Sequence, residues 1–278
     1  MSNDVPRSRQ ARLAAEQALV RVVDHYGEKP EFVVLGGLVP EPLCSGSSHK
    51  HAGTTDIDVQ VNLEIECNAV NTARLERALR NAEFEPDSEQ VWRWRVISDE
   101  IRAEVKFELL ADLDNEANEA TVHFDDCERL GAVNLRGTKY ATQDIESRTL
   151  IAKVGDVRHS IEINVTGVAG FLLAKCAAAY SRRKPKDWYD IAFVLLHNDL
   201  GGPIPAAQAV LAKFANKEMT ASRTALAELA ANFADTNAQG PRDYAAQFVI
   251  EHPDYGSDSA KADSIAAVQE FCETLASS

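Results

Sequence analysis

Two short pieces of this chain combine residue types that can handle a polyphosphate. Leu35-Gly36-Gly37 is followed, after eighteen intervening residues, by Asp56-Ile57-Asp58-Val59. Residues 55–63 alternate strictly, with Ile57, Val59, Val61 and Leu63 on one face and Asp56, Asp58, Gln60 and Asn62 on the other. That period of two is a half-buried strand. Residues i and i+2 of a strand point the same way, so both carboxylates leave one face about 7 Å apart. Two such charges repel and call for a cation, and aspartate oxygens suit a hard ion such as Mg²⁺. Glycines at a strand end let backbone N–H groups approach a phosphate with no Cβ in the way. A third carboxylate would complete a two-ion site, and residues 103–110 offer Glu108, with Glu104 as the alternative on the same polar face.

Several elements must position these residues. Residues 11–26 carry an apolar stripe at helical spacing that ends at Gly27, and Phe32-Val33-Val34-Leu35 reads as a buried strand stopped by Gly36-Gly37. The polar stretch from Cys44 to Gly53 reads as a mobile loop. A helix is expected over 68–82, and strands over 91–97 and 103–110 with a hairpin at Ser98-Asp99-Glu100. Further strands fall near 133–135, 150–154 and 160–165. Beyond Gly167 the pattern turns helical, over 168–180, 188–197 and an alanine-rich remainder. The expectation is an α/β (α+β) fold with a mixed sheet over residues 1–165 and a helical C-terminal domain over 166–278.

Composition narrows the class. The 278 residues carry a formal net charge of −14, 45% apolar and 26% charged side chains, the balance of a globular chain. No membrane span or secretory leader is legible, and five scattered cysteines suit reduced thiols, so a cytoplasmic setting is expected. The acidity opposes broad nucleic-acid coating, which confines phosphate contacts to a metal-filled cleft and a local basic patch.

The order Gly-Gly, Asp-Ile-Asp on an alternating strand, then an acid on a later strand resembles the nucleotidyltransferase superfamily. Leu173-Ala174-Lys175 through Tyr180-Ser181-Arg182-Arg183-Lys184-Pro185-Lys186-Asp187-Trp188-Tyr189-Asp190-Ile191 is similar to its AbiEii/AbiGii toxin-like branch. The resemblance spans roughly residues 30–200. It implies a polymerase-β-like palm and a helical C-terminal domain. It also implies Mg²⁺-dependent transfer of a nucleoside monophosphate from an NTP to a hydroxyl, for some members the 3′ end of tRNA, in abortive-infection or toxin–antitoxin systems with a cognate antitoxin. By position, Asp56, Asp58 and Glu108 would hold two Mg²⁺ ions, and Gly36, Gly37 and Lys175 the triphosphate. Asp190, or else Asp187, would orient Lys175 or the acceptor. Arg182, Arg183, Lys184 and Lys186 would receive RNA. Two departures stand out: the spacing from the glycines to Asp56 is longer than usual, and the third acid is Glu rather than Asp.

Rival readings rest on the same residues. A degenerate chain would bind nucleotide, RNA or a partner protein without catalysis, and an active one could modify a small molecule or a protein. Lys175, on an apolar helix face, suits a buried salt bridge with Asp187 or Asp190 equally well. Cys44, His49 and His51 have the elements of a zinc site but the spacing of a loop. His123, Asp125, Asp126 and Cys127 read as a polar turn, Trp92 and Trp94 as core, and Glu64 and Glu66 as solvated charges at a strand end.

Overall fold

The structure, a computed structural model, describes residues 7–61, 71–98, 101–214 and 216–277. Glu64, Glu66, Cys67 and the Asp99-Glu100 turn lie outside the described residues. The chain divides into two compact units, 1–39 with 53–166 and 40–52 with 167–278. The last division between them falls at residues 166 and 167. Residues 40–52 differ, because they join the helical unit and not the sheet that flanks them.

The first unit begins with α1 (Arg9–Tyr26). Ser8 caps it by accepting from the Ala11 N–H at 3.1 Å, and Gly27, at φ +84°, ends it in a left-handed turn. β1 (Val33–Leu35) runs into a 3₁₀ turn at Gly36–Leu38. The chain then passes through the second unit, where it forms α2 (Pro40–Leu43), and returns as β2 (Asp56–Gln60). There follow α3 (Thr72–Asn81), β3 (Glu85–Pro86), β4 (Arg93–Ser98), β5 (Ala103–Ala111), β6 (Thr121–His123) and β7 (Gly131–Asn134). α4 (Lys139–Gln143) and the hairpin of β8 (Ile145–Val154) and β9 (Val157–Thr166) complete the unit.

The sheet is mixed, in the order β3-β4-β5-β2-β1-β9-β8, with β7 added to the end of β5 and β6 to β7. β1 pairs antiparallel with β2 and parallel with β9, while β2 and β5 run parallel. One face is apolar: Ile57, Val59, Trp94, Val105, Phe107 and Leu109 are fully buried, and the Phe107 ring meets Phe32 and Phe84 edge-on. The other face carries Asp56, Asp58, Arg93, Arg95, Glu104, Lys106 and Glu108. Leu35 and Leu110 share that polar face by register and head a small apolar cluster with Val133 and Ala141, against which Trp92 packs. Trp92 and Trp94 thus serve different clusters. Of the polar turn after β6, Asp126 accepts from the Thr72 hydroxyl and the Ala73 N–H at the start of α3.

The described part of the second unit is helical. After α2 come α5 (Val168–Arg182), α6 (Pro185–His197), α7 (Pro203–Lys213), α8 (Asn216–Asn232), α9 (Gln239–Glu251) and α10 (Ser257–Ala276). Trp188, Tyr189, Phe193, Phe233, Tyr244, Phe248 and Phe271 are buried among them.

The stretch from Cys44 to Gly53, expected as a mobile loop, is anchored along its length. Asp199 accepts from the Ser45 and Gly46 N–H groups, and Cys44 is buried. The His49 ring sits 5.0 Å from His197, 4.9 Å from His252 and 5.3 Å from Phe248. The Lys50 carbonyl lies 3.1 Å from His252 Nε2.

Burial first, then the charges of His49, His252 and His51, lowers the His197 pKa from 6.5 to about 4. The unfolded chain therefore takes up a proton near pH 6.5 that the folded chain refuses until about pH 4. Stability is full above pH 6.5 and declines as pH falls toward 4, by on the order of 2 kcal/mol from this group. Urea unfolding at pH 7 and pH 4.5 checks this: His197→Phe is expected to show the smaller drop, and an equal drop in both chains would contradict it.

Candidate active site

Register decides which acid accompanies the aspartates. β1 sets Leu35 opposite Asp58, and β5 sets Lys106 opposite Asp56 and Glu108 opposite Asp58. Glu108 is therefore the direct cross-strand neighbour of Asp58, whereas Glu104 lies one pair beyond the Asp56 end, opposite Ile97 of β4. Parity alone leaves these two glutamates equivalent, because both share one strand face.

Gly36 adopts φ +74°, and a Cβ there would stand 2.0 Å from Asp58 Oδ2. A Cβ on Gly37 would meet Thr54 Cγ2 at 2.7 Å. The space the two glycines leave is thus taken by side chains of β2 and the residues before it, a role that spacing does not reveal. Thr54 in turn accepts the Asp56 N–H at 3.1 Å. Gly36→Ala would impose a left-handed backbone on alanine and push the Asp58 carboxylate aside. An about 10–100-fold loss of the transfer that the resemblance implies is expected, the usual cost of disturbing a group that orients a ligand. Initial-rate assays read it, and a wild-type rate would separate Asp58 from the reaction.

The acids on this face are matched by internal cations. Arg93 Nε donates to Glu108 at 2.6 Å, Lys106 Nζ lies 3.7 Å from Asp56, and Arg95 reaches Glu104 at 3.4 Å and Asp87 at 3.5 Å. Asp56 and Glu108 each keep about a fifth of their side-chain surface exposed. Among the described residues no three His, Cys, Asp or Glu side chains converge on a point where an ion would sit. Glu108 is turned to Arg93, and Asp56 has Lys106 beside it. The donor set of Asp56, Asp58 and Glu108 fits a hard divalent cation in type and register, and Glu108 would join it by releasing Arg93.

The second unit contains a buried ionic network. Lys175 of α5 donates to Asp190 Oδ2 at 2.7 Å and Asp187 Oδ1 at 3.3 Å, both acids on α6 and both with no exposed side-chain surface. Arg182, at the end of α5, grips Asp187 with Nε and a terminal nitrogen, each at 2.7 Å. Burial alone would push the Asp187 carboxyl up; the Lys175 charge and the Arg182 hydrogen bonds prevail and hold it below the usual carboxylate range. His51 Nε2 sits 2.9 Å from Asp190 Oδ1, with the ring fully buried.

One sequence expectation changes here. Arg182 faces Asp187, and Arg183 pairs with Glu228 at 2.8 Å, so the run from Arg182 to Lys186 is less a free basic patch than its composition suggests. Lys184 is exposed and Lys186 half-buried. Cys44, His49 and His51 do not assemble a zinc site, because the two histidines face different partners. His51, Arg93 and Lys106 escape the sequence reading as members of these clusters. For Arg93 and Lys106 the signal was present, as basic residues alternating onto the face that bears the acids.

A family model described as "Nucleotidyl transferase AbiEii toxin, Type IV TA system" matches residues 130–271, just over half of the chain. The chain belongs to the AbiEii family. It is thus a nucleotidyltransferase of a toxin–antitoxin family. The match starts before β7 and runs through α5 and α6 into α10, so it takes in Lys175, Asp187 and Asp190 and the C-terminal stretch where the sequence shows no motif. Gly36, Gly37, Asp56, Asp58 and Glu108 precede it. No curated protein and no solved structure matches the chain. No helix among the described residues of this AbiEii chain is long and apolar enough to cross a membrane.

Proposed function

We propose that this AbiEii chain transfers a nucleoside monophosphate from an NTP to an RNA hydroxyl, with the 3′ end of tRNA as the favoured acceptor, in a Mg²⁺-dependent reaction. The observation that carries the reading is the register that brings Asp58 and Glu108 side by side, with Asp56 two residues away on the same face. Such a palm-like arrangement of acids on neighbouring strands is what two hard cations need. When bound by Asp56, Asp58 and Glu108, Mg²⁺ supplies charge neutralisation for the polyphosphate and for the acceptor oxygen. The protein residues do the rest. Gly36 leaves Asp58 room to hold its orientation, and Arg93, once freed from Glu108, is a guanidinium beside the site that suits a phosphate. The family resemblance assigns Lys175 to a phosphate oxygen: two of its three N–H donors go to Asp187 and Asp190, and one remains.

In the reaction the acceptor oxygen bonds the α-phosphorus as the bond to the β-phosphate oxygen breaks. Pyrophosphate leaves, and the hydroxyl proton passes to water. Catalysis of this kind is mostly positioning and charge neutralisation. A cytoplasmic setting and a cognate antitoxin follow from the toxin–antitoxin role.

Each α-labelled NTP, incubated with total RNA and the protein, tests the reading. Label is expected on RNA with Mg²⁺ and not with a chelator. No label with any of the four NTPs would overturn the RNA-transfer reading. Label on a small hydroxyl compound or on protein instead would move the acceptor.

A further inference from the structure

We propose that His51 is a positioning residue for nucleotide binding, acting through Asp190 to aim the Lys175 ammonium. The inference rests on the reading of Lys175 as a phosphate contact. His51 is fully buried and its ring cannot wander: Tyr189 stacks on it at 4.9 Å and 26°, and Phe193 meets it edge-on at 4.9 Å. Its backbone is fixed as well. The His51 N–H donates to Glu41 Oε2 at 3.0 Å, and the next residue, Ala52, donates to the Tyr189 hydroxyl at 3.1 Å. The segment that carries His51 therefore grips two consecutive residues of α6, Tyr189 and Asp190.

That grip settles the geometry of the carboxylate. Asp190 Oδ1 faces His51 Nε2 at 2.9 Å while Oδ2 accepts from Lys175 at 2.7 Å. With an ionised Asp190, Nε2 is the protonated nitrogen and donates. A carboxylate held at one oxygen by a rigid ring has its other oxygen fixed in space, and the ammonium bonded to that oxygen inherits the constraint. Asp187, clamped by Arg182, does the same from the other side. The third N–H of Lys175 then has a set direction before any ligand arrives, which is pre-organisation for a ground-state phosphate contact. Asp190, with both oxygens engaged, acts as an orienting group rather than as a base.

The effect should fall on nucleotide affinity and KM more than on kcat, because an aimed ammonium binds the phosphate before and during transfer alike. His51→Phe keeps a flat ring against Tyr189 and removes the donor; His51→Met removes it with a more adaptable side chain; His51→Gln restores an N–H donor. Equilibrium binding of labelled NTP with Mg²⁺ and no RNA is measured beside KM and kcat for RNA labelling, with urea unfolding as the check on folding. His51→Phe and His51→Met are expected to weaken NTP binding and raise KM by about 10-fold, with kcat changed less than about 3-fold, and His51→Gln to stay within about 3-fold of wild type. If His51→Phe does not fold, the comparison of Met with Gln decides.

Wild-type affinity in a folded non-donor variant, or Gln no better than Met, would overturn the inference. A wild-type chain that binds NTP but labels nothing would remove the RNA-transfer reading and leave the His51 inference standing on the binding data. A wild-type chain that binds no NTP would remove both.

Discussion

Asp58→Asn is expected to leave a folded protein that transfers almost nothing. The amide has the shape of the carboxylate, so it fits the space that Gly36 keeps open beneath Asp58, where a Cβ would stand 2.0 Å from Oδ2. The change removes one negative charge beside Glu108, its cross-strand neighbour, without changing the volume of the side chain. Urea stability should therefore shift by less than about 1 kcal/mol. On the proposed reading, transfer depends in contrast on the charge that would hold cations at the polyphosphate, and its loss should cost at least about 10³-fold in labelling rate. Raising Mg²⁺ should recover little, because the deficit is a ligand charge and not occupancy alone. Retention of a tenth or more of the wild-type rate would remove Asp58 from the site.

Lys175→Met is expected to give the largest loss of stability. It deletes the cation shared by two acids that have no exposed side-chain surface. Asp187 retains Arg182 and Asp190 retains His51, so neither acid is stripped bare, yet each loses an ionic partner in a setting where water cannot replace it. Breaking a buried pair from one side typically costs about 3–5 kcal/mol. The midpoint of urea unfolding should fall accordingly with an unchanged slope. A double variant, Lys175→Met with Asp190→Asn, should regain part of the loss, since the amide has no buried charge to leave uncompensated. If the double variant is no more stable than the single one, the Lys175–Asp190 pair is not the origin of the effect.

How far the residues announce all this differs from place to place. The alternation through Asp56 and Asp58 is enough to write down β2 and its acidic face, because a period of two is local information. Glu108 and Glu104 cannot be separated locally, as they stand on one face of one strand; only the parallel register of β2 with β5 tells them apart. Lys175 on an apolar helix, with acids one helix further on, suits a buried ion pair as well as a phosphate contact, because a lone ammonium there is too costly. His51 is different. Its neighbours are serine, glycine and lysine, the composition of a turn, and its partner Asp190 is 139 positions away. Arg182 misleads in the opposite sense: among Arg183, Lys184 and Lys186 it counts as one more surface charge, while its guanidinium is turned onto Asp187.

The passage of residues 40–52 through the helical unit also bears on how the chain comes to be folded. β1 and β2 are antiparallel neighbours, yet the stretch between them is completed only by helices made much later. At ribosomal speeds of about 5–20 residues per second, His51 waits on the order of ten seconds for Asp190 to be synthesised. During that interval the buried faces of Leu43 and Cys44 have no permanent cover. A fragment begun at residue 167 would keep Tyr189, Asp190 and Phe193 but lack His51 and Glu41. The two units are thus compact bodies but not consecutive lengths of polypeptide: the residues of the first are all made by residue 166, whereas residues 40–52 of the second wait for the helices that follow it.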